Sequence, residues 1–234
     1  MEKPPIVSEK PLIVVFKNFM RNRMVNLSAL SVRHFLPNAE IYCLTLYKQS
    51  MDEYTNQDPL DDYIEEWTAQ TRWNSGIDIH DHIENGKCSG YGNLLNGCFF
   101  TEGYNLIFDR FKDVSEKVLM LNEDHYFTTG KTLQEAVDIE WDVAWAGWDD
   151  ENINCANASI IGVNPVTTAP FFPMVEQPGQ VEYHIGQQFA KQIREAGLKD
   201  HLFSTRRSIN YFGDGRCVNS SVLMRSHMEA AGIL

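Results

Sequence analysis

The residues best suited to chemistry stand in a row at Asn122-Glu123-Asp124, directly after the apolar run Val118-Leu119-Met120-Leu121. Such a run reads as a strand covered on both faces. In an open α/β sheet, ligands bind beyond the carboxyl ends of strands, so a carboxamide and two carboxylates emerge where a ligand is expected. Oxygen donors suit a hard divalent cation, which is commonly held by one or two protein carboxylates together with substrate phosphates. A cation there bridges a diphosphate and stabilises the charge that grows on it as a bond breaks. Alternation along an extended backbone sends Asn122 and Asp124 to one side and Glu123 to the other. An acidic strand-to-loop turn has the same composition, and spacing alone leaves both readings open.

The elements needed to position these residues are legible nearby. Leu12-Ile13-Val14-Val15-Phe16 is a β-branched apolar run, predicted to be a buried strand. Val25, Ala29, Val32 and Leu36 fall on one helical face that Pro37 ends, and Ile41 to Leu46 reads as a second strand. Strand, helix, strand at this spacing makes a βαβ unit with parallel strands. Residues 48 to 76 read as loop with a short helical piece at 61–69, followed by a short strand at Ile77 to His80. The glycine-rich stretch Gly86 to Gly92 leads into a helix carrying Leu95, Phe99 and Leu106. Thr132-Leu133-Gln134-Glu135 has the spacing of a capping box opening another helix. Val143 to Trp145 and Ser159 to Val163 read as strands, and Ile185, Phe189 and Ile193 as a helix closed by Gly197.

The formal net charge of −12 argues against a partner that is a nucleic-acid backbone or an anionic membrane. One phosphorylated small molecule stays compatible with that charge, because a bound cation reverses the local field. The five cysteines, Cys43, Cys88, Cys98, Cys155 and Cys217, include no C-x-x-C pair, so reduced thiols are expected. No apolar run is long enough for a transmembrane anchor or signal segment, and the expected location is cytoplasmic.

Three further segments carry a family likeness. Gly90-Tyr91-Gly92-Asn93-Leu94-Leu95-Asn96-Gly97-Cys98 is similar to the N-x-G-x-(small)-x-x-x-N-x-G stretch of GT-A glycosyltransferases, most closely the family 2 type that includes rhamnosyltransferase-like enzymes. Leu121-Asn122-Glu123-Asp124 then matches the L-N-x-D variant of that family's aspartate-any-aspartate motif. Val181-Glu182-Tyr183-His184-Ile185-Gly186-Gln187-Gln188-Phe189 resembles its E-D-x-D-L-G-x-R-L segment, with Val181, His184 and Gln188 as departures. Ile209-Asn210-Tyr211-Phe212-Gly213-Asp214-Gly215 is similar to its v-x-H-x-G-x-G/S element, with Tyr211 where histidine often stands. The matches run in the family's order from Gly86 to Gly215.

The resemblance implies a GT-A (Rossmann-like) α/β fold: an open mixed, mainly parallel sheet flanked by helices, in one domain spanning 1–234. It implies that Asp124 holds a divalent metal, Mn2+ or Mg2+, with Asn122 assisting through water or the nucleotide, and His184 or His201 as a further metal or phosphate contact. It puts Glu182 on the general base, where a carboxylate takes a proton from an acceptor hydroxyl. The nucleotide would lie over the ends of the first two strands, near Phe16, Lys17, Asn18 and Thr45-Leu46-Tyr47, with Arg21 or Arg23 toward phosphate and Tyr91 and Asn93 from the glycine-rich segment. Trp141, Trp145 and Trp148, followed by Asp149-Asp150, would suit a sugar, although tryptophans so spaced are more often core.

The activity expected is transfer of a hexosyl or deoxyhexosyl group from a UDP- or dTDP-linked donor to a hydroxyl acceptor such as a glycan or polysaccharide, with inversion if the family 2 likeness holds. Two alternatives share the fold. A sugar-phosphate nucleotidyltransferase would carry a glycine-rich basic loop after the first strand, and Lys17-Asn18-Phe19-Met20-Arg21 has no glycine. A carbohydrate- or nucleotide-sugar-binding module without turnover would tolerate the substituted acidic positions.

Overall fold

The computed structural model describes residues 12–18, 22–45, 72–74, 103–123, 125–147, 156–175, 182–203, 216–217 and 221–234. Strand β1 (Leu12–Asn18) leads through helix α1 (Asn22–Phe35) to β2 (Glu40–Thr45), which pairs parallel with β1 as Ile13↔Glu40 through Asn18↔Thr45. Strand β4 (Lys117–Asn122) flanks β1 on its other side, also parallel. A short β3 (Arg72–Asn74) adds to β2 in parallel. It falls inside the stretch expected to be loop: three residues take strand geometry from their pairing with Cys43, Leu44 and Thr45, not from a local apolar pattern. The strand expected at Ile77 to His80 and the helix at 61–69 lie outside the described residues.

The sheet continues with antiparallel strands. β7 (Ala156–Val163) pairs with β4, β6 (Val143–Gly147) with β7, and β8 (Asp200–Phe203) with β6 in parallel. The order is β3-β2-β1-β4-β7-β6-β8, an open, mixed, mainly parallel sheet as expected. Beside it stands a two-stranded ribbon of β5 (His125–Tyr126) and β9 (Arg216–Cys217).

Helices cover both faces because the strands are apolar on both. On one face, Val14, Phe16, Leu119 and Leu121 meet Val25, Ala29, Val32 and Phe35 of α1, and Leu133 and Ala136 of α3 (Lys131–Asp138). On the other, Ile13, Val15, Val118, Met120 and Ile161 meet Ile107 and Phe111 of α2 (103–111), and Phe189, Ala190 and Ile193 of α5 (Glu182–Glu195). A short α4 (Pro165–Thr168) and a 3-10 turn (Ala169–Phe171) follow β7. Each fully buried Val, Leu or Phe in these layers contributes about 1.5–3 kcal/mol. A third cluster joins α1 and β5 to α6 (Ser221–Ala230) through Met24, Leu27, Tyr126, Met224 and Met228.

Helix α3 does not open with the expected capping box. Its N-cap is Gly130, at φ 70, with no side-chain cap, while Thr132 is buried within the first turn. Gly130 packs so closely on α1 that a Cβ there would lie 2.6 Å from Phe35 Cδ1, so close packing and the left-handed backbone both require glycine. Gly197 closes α5 at φ 73, as predicted. Trp141 and Trp145 are core, 2% and 1% exposed, and Trp148 lies outside the described residues. Cys43 is buried in the core. Among the described residues no helix is long and apolar enough to cross a membrane.

Candidate functional site at the carboxyl edge of β1 and β4

The parallel register places Lys17 opposite Asn122, so β1 and β4 deliver their last residues to one edge of the sheet. Alternation puts Phe16 on the α1 face, where it is fully buried in the core. Lys17 and Asn122 share the opposite face with Val15 and Met120. The Lys17 side chain is 0% exposed, and its ammonium sits 4.0 Å above the centroid of the Tyr104 ring on α2. The ring's negative face offsets part of the cost of burying that charge. Beside it, Asn122 Oδ1 is buried without a hydrogen-bond partner among the described residues.

The chain beyond Asn122 is held tightly. The Glu123 N–H donates to the Lys17 carbonyl at 3.0 Å, and the Glu123 carbonyl accepts from Ser28 Oγ of α1 at 2.8 Å. Asp124 lies outside the described residues, but its neighbours on both sides do not. His125 and Tyr126 pair with Cys217 and Arg216, so the segment ending at Gly215 runs into the strand beside this turn. Phe127 N–H donates to Ser31 Oγ at 3.0 Å. Sequence reasoning missed both serines, whose only visible signal is their spacing of three on the core face of α1.

Helix α5 approaches the same edge. Phe189 packs edge-on against Trp145, in the row Met120–Ile161–Trp145 across the sheet. From there α5 descends to Gly197 and then to Asp200, which pairs with Val143 in the opposite end row Val118–Val163–Val143. Fourteen helical residues span about 21 Å and six strand residues about 20 Å, so the first turn of α5 stands near the level of Asn122. That turn carries Glu182 and His184, on the side of the sheet that Lys17 and Asn122 also face, and the helix packs over β7 and β8.

Of the other expected residues, Asn18 and His201 lie among those described. Asn18 ends β1 opposite Thr45. Tyr47, Tyr91 and Asn93 lie outside the described residues, as do Arg21 and Tyr211. His201 sits on β8, three strands from β4, with Nε2 3.3 Å from Glu135 Oε2 on α3; it belongs to the far edge of the sheet. A hollow of about 420 Å³ lies between Phe171 and Met174 and the C-terminal half of α5, below the strand ends.

Among the described residues no group of three or more His, Cys, Asp or Glu could hold a metal ion. The donor that is described fits a hard cation nonetheless. Asn122 Oδ1 is an oxygen, buried, without a hydrogen-bond partner among the described residues, and two positions from Asp124.

No protein-family model matches the chain, and no curated protein matches it significantly. Solved structures do resemble it. The mannosyltransferase PcManGT from Pyrobaculum calidifontis, in complex with GDP-Man and Mn2+, is 9% identical with a TM-score of 0.54 over 86% of this chain and 58% of its own. The chain thus spans less than two thirds of that enzyme. A Drosophila β-1,4-galactosyltransferase 7 mutant with manganese, UDP-Gal and xylobiose is 12% identical, TM-score 0.50, over 92% of this chain and 79% of its own. The inositol-1-phosphate CTP transferase from T. maritima is 10% identical, TM-score 0.51, over 95% and 98%. At these identities the likeness establishes the architecture: the chain has the GT-A type of fold, a mixed, mainly parallel sheet layered between helices.

Proposed function

We propose that the protein is a divalent-metal-dependent glycosyltransferase that moves a sugar from a nucleoside diphosphate sugar to a hydroxyl acceptor. The observation that carries the reading is the pairing, at one edge and on one face of the sheet, of Lys17, its ammonium buried over Tyr104, with Asn122, whose buried Oδ1 has no hydrogen-bond partner among the described residues. Two solved structures of this fold hold a nucleotide sugar with manganese, which supports the same class of ligand here.

In this reading Asp124 and Asn122 hold the cation, with His184 as a further candidate. A divalent cation held by these residues would supply positive charge that stabilises the departing diphosphate. Lys17 adds a fixed positive charge beneath the same group, and in a low-dielectric setting that charge acts over several ångströms. Glu182 takes the proton from the acceptor hydroxyl as that oxygen attacks the anomeric carbon. The base and ribose lie over the ends of β1 and β2, near Asn18 and Tyr47, with Tyr91 and Asn93 completing the donor contacts. Phe16, committed to the core, supports this floor from beneath.

The test is a panel of UDP- and dTDP-linked hexoses and deoxyhexoses incubated with Mn2+, with release of the nucleoside diphosphate followed by mass spectrometry. Release that Glu182→Gln slows at least a hundredfold supports the reading, general bases being worth about 10²–10⁴-fold. The second reading, a sugar-phosphate nucleotidyltransferase, is favoured by the near-complete overlap with the CTP transferase. It predicts pyrophosphate release from a nucleoside triphosphate and a sugar phosphate, and that product in place of the diphosphate would overturn the first reading.

A further inference from the structure

Two serines of α1, Ser28 and Ser31, are both 0% exposed and both direct hydroxyl chemistry at the turn after β4. A buried helical serine ordinarily satisfies its hydroxyl on its own helix, on a carbonyl three or four residues back. Ser31 does so in part: its hydroxyl donates to the Ser28 carbonyl at 2.6 Å. That leaves an oxygen lone pair free to accept from Phe127 N–H at 3.0 Å. Ser28 instead donates to the Glu123 carbonyl at 2.8 Å, 95 residues away in sequence. One helix face therefore fastens the chain immediately before and shortly after Asp124. The Glu123 N–H, held by the Lys17 carbonyl, ties the same point to β1.

The fastening has a backing. Met224 Sδ of α6 lies 3.8 Å from Ser28 Oγ, and His227 of α6 makes a short hydrogen bond with the Tyr126 hydroxyl. Met24, Leu27, Tyr126, Met224 and Met228 close around it as a single apolar cluster. Thus the turn is clamped to a helix that is itself clamped by the last helix described.

We propose that Ser28 and Ser31 are positioning residues for the oxygen ligands of the cation: by fixing the backbone at Glu123 and Phe127 they set the place of the Asp124 carboxylate and so the affinity for the metal. The inference rests on the reading of Asp124 as a metal-holding residue. A ligand oxygen displaced by a fraction of an ångström leaves its coordination sphere, and groups that only orient ligands typically matter by tenfold to a hundredfold in metal affinity.

The experiment is titration of Mn2+ alone into the full chain, with free Mn2+ read by its electron paramagnetic resonance signal and melting temperature recorded in parallel. The Ser28→Ala/Ser31→Ala double variant is expected to bind Mn2+ about tenfold or more weakly, and Ser28→Thr, which keeps the hydroxyl, to bind close to the parent. Val137→Ala, a core change on α3, serves as the control that lowers the melting temperature without touching the turn. If the double variant does not fold, Ser28→Ala alone carries the comparison. Parental Mn2+ affinity in the serine variants, with affinity lost in Asp124→Ala, would overturn the positioning role and leave the metal reading standing. Parental affinity in Asp124→Ala would overturn both.

Discussion

Lys17 and Asn122 are register partners across β1 and β4, and both leave the sheet on the face covered by α2 and α5, at the edge where its parallel strands end. One contributes a buried cation over Tyr104, the other a buried oxygen without a hydrogen-bond partner among the described residues. A cationic and an oxygen-donor group side by side suit an anionic ligand carried on a metal ion.

Replacing Lys17 with methionine keeps much of the stem and removes the charge. UDP affinity in the presence of Mn2+, measured calorimetrically, is expected to fall about tenfold, or ~1.4 kcal/mol. Unchanged UDP affinity would remove Lys17 from the phosphate-binding account.

Asn122→Asp supplies a second carboxylate beside Asp124, and more ligand charge tightens a divalent cation. Mn2+ is expected to bind Asn122→Asp more tightly than the parent and Asn122→Leu more weakly, with the three ranked by the same titration. Equal binding in all three would place Asn122 outside the metal's surroundings.

Asn105 of α2 donates to the Met174 carbonyl at 2.9 Å and accepts from Met174 N–H at 2.7 Å, pinning the segment that precedes α5. Stacking of Phe108 on Phe172, 3.8 Å between centroids, seals the same junction. Asn105→Ala leaves two backbone groups short of partners and should cost about 1–3 kcal/mol in urea unfolding. A loss below a few tenths of a kcal/mol would show that the segment re-pairs.

Gly130→Ala combines a left-handed backbone with a Cβ at 2.6 Å from the Phe35 ring. It should destabilise by about 1–3 kcal/mol through strain and overpacking, read as a lowered melting temperature. Gly197, also left-handed, has open space around it, so Gly197→Ala should cost less.

The sequence made the central strands and the α1 and α5 helices legible because apolar runs and four-residue spacings report burial directly. Val14, Val25, Leu119 and Ile193 lie where that pattern puts them. β3 escaped notice because Arg72-Trp73-Asn74 is a strand only through its partner β2. The ribbon of His125–Tyr126 with Arg216–Cys217 is two residues deep and leaves no periodicity to read. Thr132 imitated a cap because a capping box is a spacing of residue types, whereas the true cap is set by the contact of Gly130 with Phe35. Of the candidate site, Asn122, Glu182 and His184 were visible in the sequence only as motif and order. Ser28, Ser31 and Asn105 were not, since a serine on a core face and an asparagine on a helix announce no distant backbone partner.

The most direct measurement is a thermal-shift comparison of the parent and Asp124→Ala with UDP and dTDP, each with and without Mn2+. Ligands that bind the folded state raise its stability, by about 2.7 kcal/mol at a hundredfold excess over Kd. The parent is expected to show a melting-temperature rise that requires Mn2+ and a nucleoside diphosphate together, and Asp124→Ala to lose it. The same Mn2+-dependent rise in both proteins would contradict the assignment of the metal to Asp124.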